Sequence, residues 1–179
     1  MGQQQLLLLV LGIVLVGLAV VGGIAAFREN ARKSALDLDT ARTAQYAGLA
    51  VAWRATPRSM GGGQNAATSA ALSLNTLGID DDGLIVRTAN YEAAATQPGM
   101  AVAVWYRTAG SAGPAIEVWD ADHGIKTTQF LYGVEPRCHV FRYAFWTPAT
   151  RPTWDDFYLS AGWNYIPDNV PPAPAGCAW

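Results

Sequence analysis

The stretch that decides the fold is residues 6–27, LLLLVLGIVLVGLAVVGGIAAF, 22 residues without a charge or a hydrogen-bonding side chain. It contains 15 Leu, Ile, Val or Phe, three Ala and four Gly. As a helix rising 1.5 Å per residue it would span about 33 Å, the thickness of a bilayer core. At roughly −0.3 to −0.6 kcal/mol for each large apolar residue, insertion is favoured by several kcal/mol. A helix apolar on every side must be surrounded by lipid or by other helices. The competing reading is a cleaved secretory signal. No basic residue precedes the run, it is longer than an ordinary signal core, and Arg28, Glu29 and Asn30 follow where small residues would mark a cleavage site. The segment is therefore expected to be retained.

Helix character continues past the apolar run. Residues 28–54 contain no Pro and a single Gly, Gly48, and are rich in Ala, Arg, Leu, Lys and Gln, which favour helix. Leu38, Ala41, Gln45, Gly48 and Ala52 recur at three- and four-residue steps, flanked by Ala31, Ala35, Ala44, Ala47 and Val51, the stripe of an amphipathic helix. Pro57 supplies the stop. The expectation is one helix of about 50 residues, apolar all round in its first half and amphipathic in its second, near 75 Å long. A mean helix has only about 11 or 12 residues, so this one needs a special role.

Outside the run the composition is ordinary. The whole chain of 179 residues is 51% apolar; without residues 6–27 the figure falls to about 46%, usual for a soluble domain. A wholly soluble cytoplasmic enzyme is thereby disfavoured, and an N-terminal membrane or assembly helix over residues 1–56, joined to a globular head over 57–179, is expected. Gly61, Gly62 and Gly63 read as a flexible joint, and residues 65–77 as a short helix closed by Gly78 in the left-handed region. Short β-type runs follow at residues 83–88, 100–108, 115–119, 126–132, 139–146 and 157–163, with Val102, Val104 and Tyr106 alternating with Ala103 and Trp105. Hairpin-length breaks separate them. The fold class is therefore α+β, a long helix packed on one face of an antiparallel sheet of about five or six strands. The tail from residue 164, with Pro167, Pro171, Pro172 and Pro174, is not regular structure and must be tied down by contacts or by Cys177.

The net charge of −2 gives no reason to expect nucleic-acid binding, which needs clustered Lys and Arg. The two cysteines, Cys138 and Cys177, show no zinc spacing. They favour a single disulfide in an oxidising compartment over two buried free thiols. The chain lacks GxSxG, GxxxxGK[ST], HExxH and GxGxxG, and no residue earns a catalytic role. Asp80, Asp81, Asp82 and Gly83 offer hard oxygen ligands without the alternating spacing or distal glutamate of a calcium loop, and read as a solvated turn. His123 and His139 lack a third ligand for a metal. Asp155–Asp156 and Asp120/Asp122 read as solvated turn carboxylates, so neither metal nor cofactor is expected. The tryptophans Trp105, Trp119, Trp146, Trp154, Trp163 and Trp179 read first as core and second as an exposed stacking platform.

The order of these parts, a very apolar N-terminal helix continuing as an amphipathic one, an antiparallel head, and two late cysteines bracketing an irregular loop, resembles the type IV pilin and pseudopilin family. Met1-Gly2-Gln3-Gln4-Gln5 running straight into Leu6 is similar to the short polar end of a processed pilin; where the family usually carries a glutamate stands Gln5 if Met1 is the processed end, or Leu7 if Gly2 closes a leader and Gln3 is the new end. The resemblance implies a structural subunit that is held in the inner membrane, then taken up by pilus assembly machinery into a helical homopolymer on the cell surface, with adhesion, motility or attachment downstream. It implies assembly through Gln5, Leu6, Leu9, Ile13, Val16, Val20, Ile24 and Phe27. It also implies a stretch of this helix that unwinds in the polymer. Intrinsic propensity points to the same place, Gly17, Gly22 and Gly23, since glycine weakens a helix interior. A single-pass anchored binding module with an aromatic-rich head is the alternative.

Topology carries a conflict. Arg28, Arg32 and Lys33 just after the run would, by the positive-inside rule, keep the head in the cytoplasm, whereas the disulfide demands the other side. A removed basic leader, or later extraction of the helix into a filament, would reconcile them.

Overall fold

The computed structural model describes residues 2–64, 72–79, 84–87, 91–97, 100–105, 114–120, 122–145 and 171–177. The architecture is α+β. Helix α1 runs Gly2–Ala55 without interruption, 54 residues in all. The compact units of the chain are Met1–Asp37 and Leu38–Trp179, so they divide inside this helix. The change of composition at Pro57 marks where the helix ends, earlier residues of it already being part of the second unit.

In the first unit the side chains of the apolar run touch solvent along their length. Leu6, Leu9, Ile13, Val16, Val20, Ile24 and Phe27 are all exposed. Gln5 is exposed as well. Glu29 and Lys33 pair at 3.5 Å one turn apart on the open surface, a contact worth only a few tenths of a kcal/mol, about 0.3–0.5.

The second unit is built on a six-stranded meander. Its strands are β1 Leu84–Arg87, β2 Tyr91–Gln97, β3 Met100–Trp105, β4 Ala115–Asp120, β5 Ile125–Leu131 and β6 His139–Phe145, each antiparallel to the next in chain order. The register places Val102 opposite Val118 and Val118 opposite Thr127. These side chains share one face with Ala94, Val104 and Ile116, and α1 covers it with Ala47, Ala50 and Trp53. The segment containing Leu72, Leu74, Leu77 and Ile79 completes this core. It is anchored by Glu92 on β2, whose Oε2 accepts the Leu74 N–H at 2.9 Å. The opposite face carries Ala93, Ala101, Ala103, Trp119, Phe130 and Tyr132, also buried.

Four readings change. The stripe Leu38, Ala41, Gln45, Gly48 and Ala52 is exposed, and the buried stripe is Asp39, Thr43, Ala47, Ala50 and Trp53. Two polar residues lie on the buried side, so apolarity alone selected the wrong face. Second, the three glycines form a tight turn in place of a joint. Gly63 N–H donates to the Trp53 carbonyl at 2.8 Å and Gln64 N–H to that of Thr56 at 2.9 Å. A Cβ on Gly62 would lie 2.2 Å from the Thr56 carbonyl oxygen, and one on Gly63 would lie 2.8 Å from the Trp53 ring. Third, β2 was not among the expected strands. Its Tyr-Glu-Ala-Ala-Ala-Thr-Gln sequence is poor in β-branched residues, yet Glu92, Ala93 and Ala94 are buried between two layers. Fourth, the described end of the expected helix at residues 65–77 is one 3₁₀ turn, Asn75–Leu77, although Gly78 does close it at φ 70. The expected run at residues 157–163 lies outside the described residues, as do Asp80 to Gly83, Asp155, Asp156 and the tryptophans at 146, 154, 163 and 179.

Candidate functional site

The first candidate is the apolar half of α1 itself. It is long and apolar enough to cross a membrane by length and composition, and none of its most apolar window is buried inside the chain. A Cβ built on Gly12, Gly17, Gly22 or Gly23 meets nothing within 4 Å. Packing among the described residues therefore does not call for glycine at these positions. Small residues at such intervals let helices of separate chains approach closely. Gly17, Gly22 and Gly23 all lie within regular helix here.

The second candidate is the clamp at the other end of the chain. Cys138 and Cys177 form a disulfide with Cα atoms 5.5 Å apart, as the cysteine count suggested. Cys138 ends a 3₁₀ turn, Pro136–Cys138, that leads straight into β6. Tyr132 Oη donates to the carbonyl of Pro171, so one phenol and one disulfide hold the proline-rich tail against the sheet. Next to this clamp, His139 Nε2 lies 3.1 Å from the Gly133 carbonyl.

A third group joins α1 to the sheet through polar atoms. Thr43 Oγ1 donates to the Asp39 carbonyl at 2.7 Å and lies 2.6 Å from Thr127 Oγ1 on β5. The Asp39 side chain is 1% exposed. Its Oδ1 lies 3.7 Å from Arg42 Nη1, and its Oδ2 is buried without a hydrogen-bond partner among the described residues. At the β4–β5 turn, Asp120 accepts two bonds from His123: from the backbone N–H at 2.9 Å and from ring Nδ1 at 2.7 Å. Burial, then the charge of Asp120, pushes the Asp39 carboxyl up to about 6, against the opposing pull of Arg42 and His123. Asp120 was expected to be merely solvated; it is buried and paired.

On the far face, Glu117 Oε1 accepts a hydrogen bond from Thr128 Oγ1 at 3.1 Å and forms an ion pair with Lys126 Nζ at 3.3 Å. The Lys126 ammonium also stands 4.9 Å from the Trp119 ring centroid. Such a buried pair fixes geometry more than it adds net stability. The diagonal spacing of Glu117 and Lys126 on neighbouring strands becomes visible only once register is known.

His123 and His139 are held by different partners, and among the described residues no group of three or more His, Cys, Asp or Glu is placed to hold a metal. Edge strand β6 presents Phe141, Tyr143 and Phe145 in a row, with ring centroids 6.4 and 5.5 Å apart, and the last two are exposed. Of the tryptophans expected in the core, Trp119 is buried; Trp53 of α1, which that expectation did not include, is buried as well. In the comparisons with known proteins, no family model, no curated protein and no solved structure matches this chain.

Proposed function

We propose that this chain is a structural subunit of a type IV pilus-like extracellular filament, inserted in the cytoplasmic membrane before assembly and polymerising with identical subunits through the apolar half of α1. Its role in this reading is structural, without catalysis or a cofactor. One observation carries the proposal: a single unbroken helix begins as an apolar rod that no other described residue covers and ends as the wall of a disulfide-closed antiparallel head. Lipid covers such a rod in a stored subunit and neighbouring rods cover it in a polymer. The glycines that no contact among the described residues requires support helix-to-helix packing between copies. Assembly machinery would be the further partner, and nucleic acid has no place in the reading.

The Phe141, Tyr143 and Phe145 ladder favours a second reading, a single-pass anchored extracytoplasmic module that binds through its aromatic edge. Electron microscopy of material sheared from the cell surface, labelled with an antibody to the head, separates the two. Labelled thin filaments are expected. Label confined to membrane, with no filaments, would support the anchored module instead.

A further inference from the structure

We propose that Asp39 of α1, together with Asp120 and His123 of the β4–β5 hairpin, forms a proton-operated latch in which one proton taken up by Asp39 closes the hairpin onto the helix. The latch lies wholly within the second compact unit and does not depend on the filament reading.

The geometry sets the direction. Asp39 Oδ2 is buried with no hydrogen-bond partner among the described residues, so an ionised carboxylate there has given up water without full replacement. The charged and titratable groups facing it come from each neighbouring element. Arg42 approaches from its own helix, partly exposed and also directed at Met100 Sδ of β3. Asp120 acts from β4 as a like charge, and His123 acts from the turn as a cation when protonated. From β5 comes Thr127, which does not titrate but bonds Thr43 and thereby fixes the helix at this height over the sheet. With Asp39 neutral, the repulsion from Asp120 disappears, and Asp120 remains free to hold the backbone N–H and ring Nδ1 of His123 and keep the turn folded. When Asp39 is ionised, two carboxylates oppose each other across the helix–sheet seam and the hairpin is the element that gives way. A carboxyl raised to about 6 makes this exchange in the mildly acidic range.

The test is hydrogen–deuterium exchange of residues 120–125 in the full chain in detergent micelles, read as the ratio of wild type to Asp39→Asn at each pH. The asparagine imitates the protonated acid and cannot ionise, so the ratio removes the intrinsic pH dependence of exchange. Between about pH 5 and about pH 8 the ratio should rise about tenfold, since one linked proton with these two limits allows no more. A ratio that stays constant would overturn the latch. Two further variants keep the test decisive should Asp39→Asn not fold. Asp120→Asn removes the opposing charge and should move the midpoint of hairpin opening to lower pH. His123→Gln removes the counter-cation and should move it higher. Midpoints that shift together, or do not shift, would equally overturn the proposal.

Discussion

The two halves of α1 use one helix in opposite ways. The first half holds nearly all of its large aliphatic side chains in the open, and the second buries an aspartate and a threonine. Burial in this chain follows the partner that a face meets, and the character of the residue comes second. In residues 38–55 the sheet supplies that partner, and Thr127 receives a polar helix atom that hydrophobicity alone would have turned outward. In residues 6–27 no such partner exists among the described residues, and in the proposed reading lipid or neighbouring copies supply the cover.

The largest effect that can break this contrast is the same charge placed in each half. Ala47→Arg forces a long cation into a site that is 1% exposed, and should destabilise the head by about 4 kcal/mol or more. Val16→Arg should leave the urea midpoint of the head unchanged, while weakening membrane retention by about 3 kcal/mol, measured as extraction at alkaline pH. If Val16→Arg unfolds the head, the halves are not independent in the sense argued here.

The next effect belongs to the tail clamp. Replacing Cys138 and Cys177 together by Ser should cost the head about 4 kcal/mol on the chain-entropy account of closing this loop, less any native strain. Tyr132 Oη would then hold Pro171 alone. Urea unfolding of the variant, followed by tryptophan fluorescence, measures the loss; an unchanged midpoint would mean the tail is secured elsewhere.

Asp39→Asn sharpens the contrast with a smaller and pH-dependent effect. Folded Asp39 keeps its proton up to about 6, whereas in the unfolded chain it is released near 3.8. Between those values the native state binds more protons, so its stability is full at the acid end and falls as pH rises through the window. The loss reaches at most about 3 kcal/mol, reduced by whatever screening solvent provides at the His123 side. The asparagine variant should therefore match wild type near pH 4 and exceed it near pH 8 by about that margin in urea unfolding. A wild type whose stability rises across this window would reverse the sign and remove the argument.

What was legible in the sequence follows the same physics. Strands β3 to β6 announced themselves because large residues alternate with small ones or form apolar runs between turns. Strand β2 did not, because a strand buried on both faces beside a helix can be built from alanine, which carries no β signal. The buried face of the second helical half escaped for a related reason. Asp39, Thr43, Ala47, Ala50 and Trp53 are spaced at helical steps, and the pattern is visible only if polar residues are allowed on a core face. The bond between Cys138 and Cys177 needed only a count, and the apolar rod only a length. The latch could not be found beforehand, since Asp39 and Asp120 are brought together by the register of a sheet and by a helix face that was misassigned.

The smallest expected change is in the apolar half, where Gly22 and Gly23 are adjacent in an unbroken helix with open space around both. Each glycine costs about 1 kcal/mol relative to alanine in a helix interior, so Gly22→Ala with Gly23→Ala should stabilise this turn by about 2 kcal/mol. No contact among the described residues resists the added methyls, and the head should be indifferent to them. The consequence is expected in the proposed polymer. If residues 17–23 unwind during assembly, the freed backbone groups must find partners on neighbouring chains, and any added helix stability opposes that step directly. The double variant should then insert and fold normally while yielding fewer or stiffer filaments in sheared preparations. Normal yield and extensibility would indicate that the glycines serve close packing alone. A filament structure with continuous helix from Leu6 to Trp53 would exclude local melting, and would leave helix-to-helix packing as the reason for glycine at these positions.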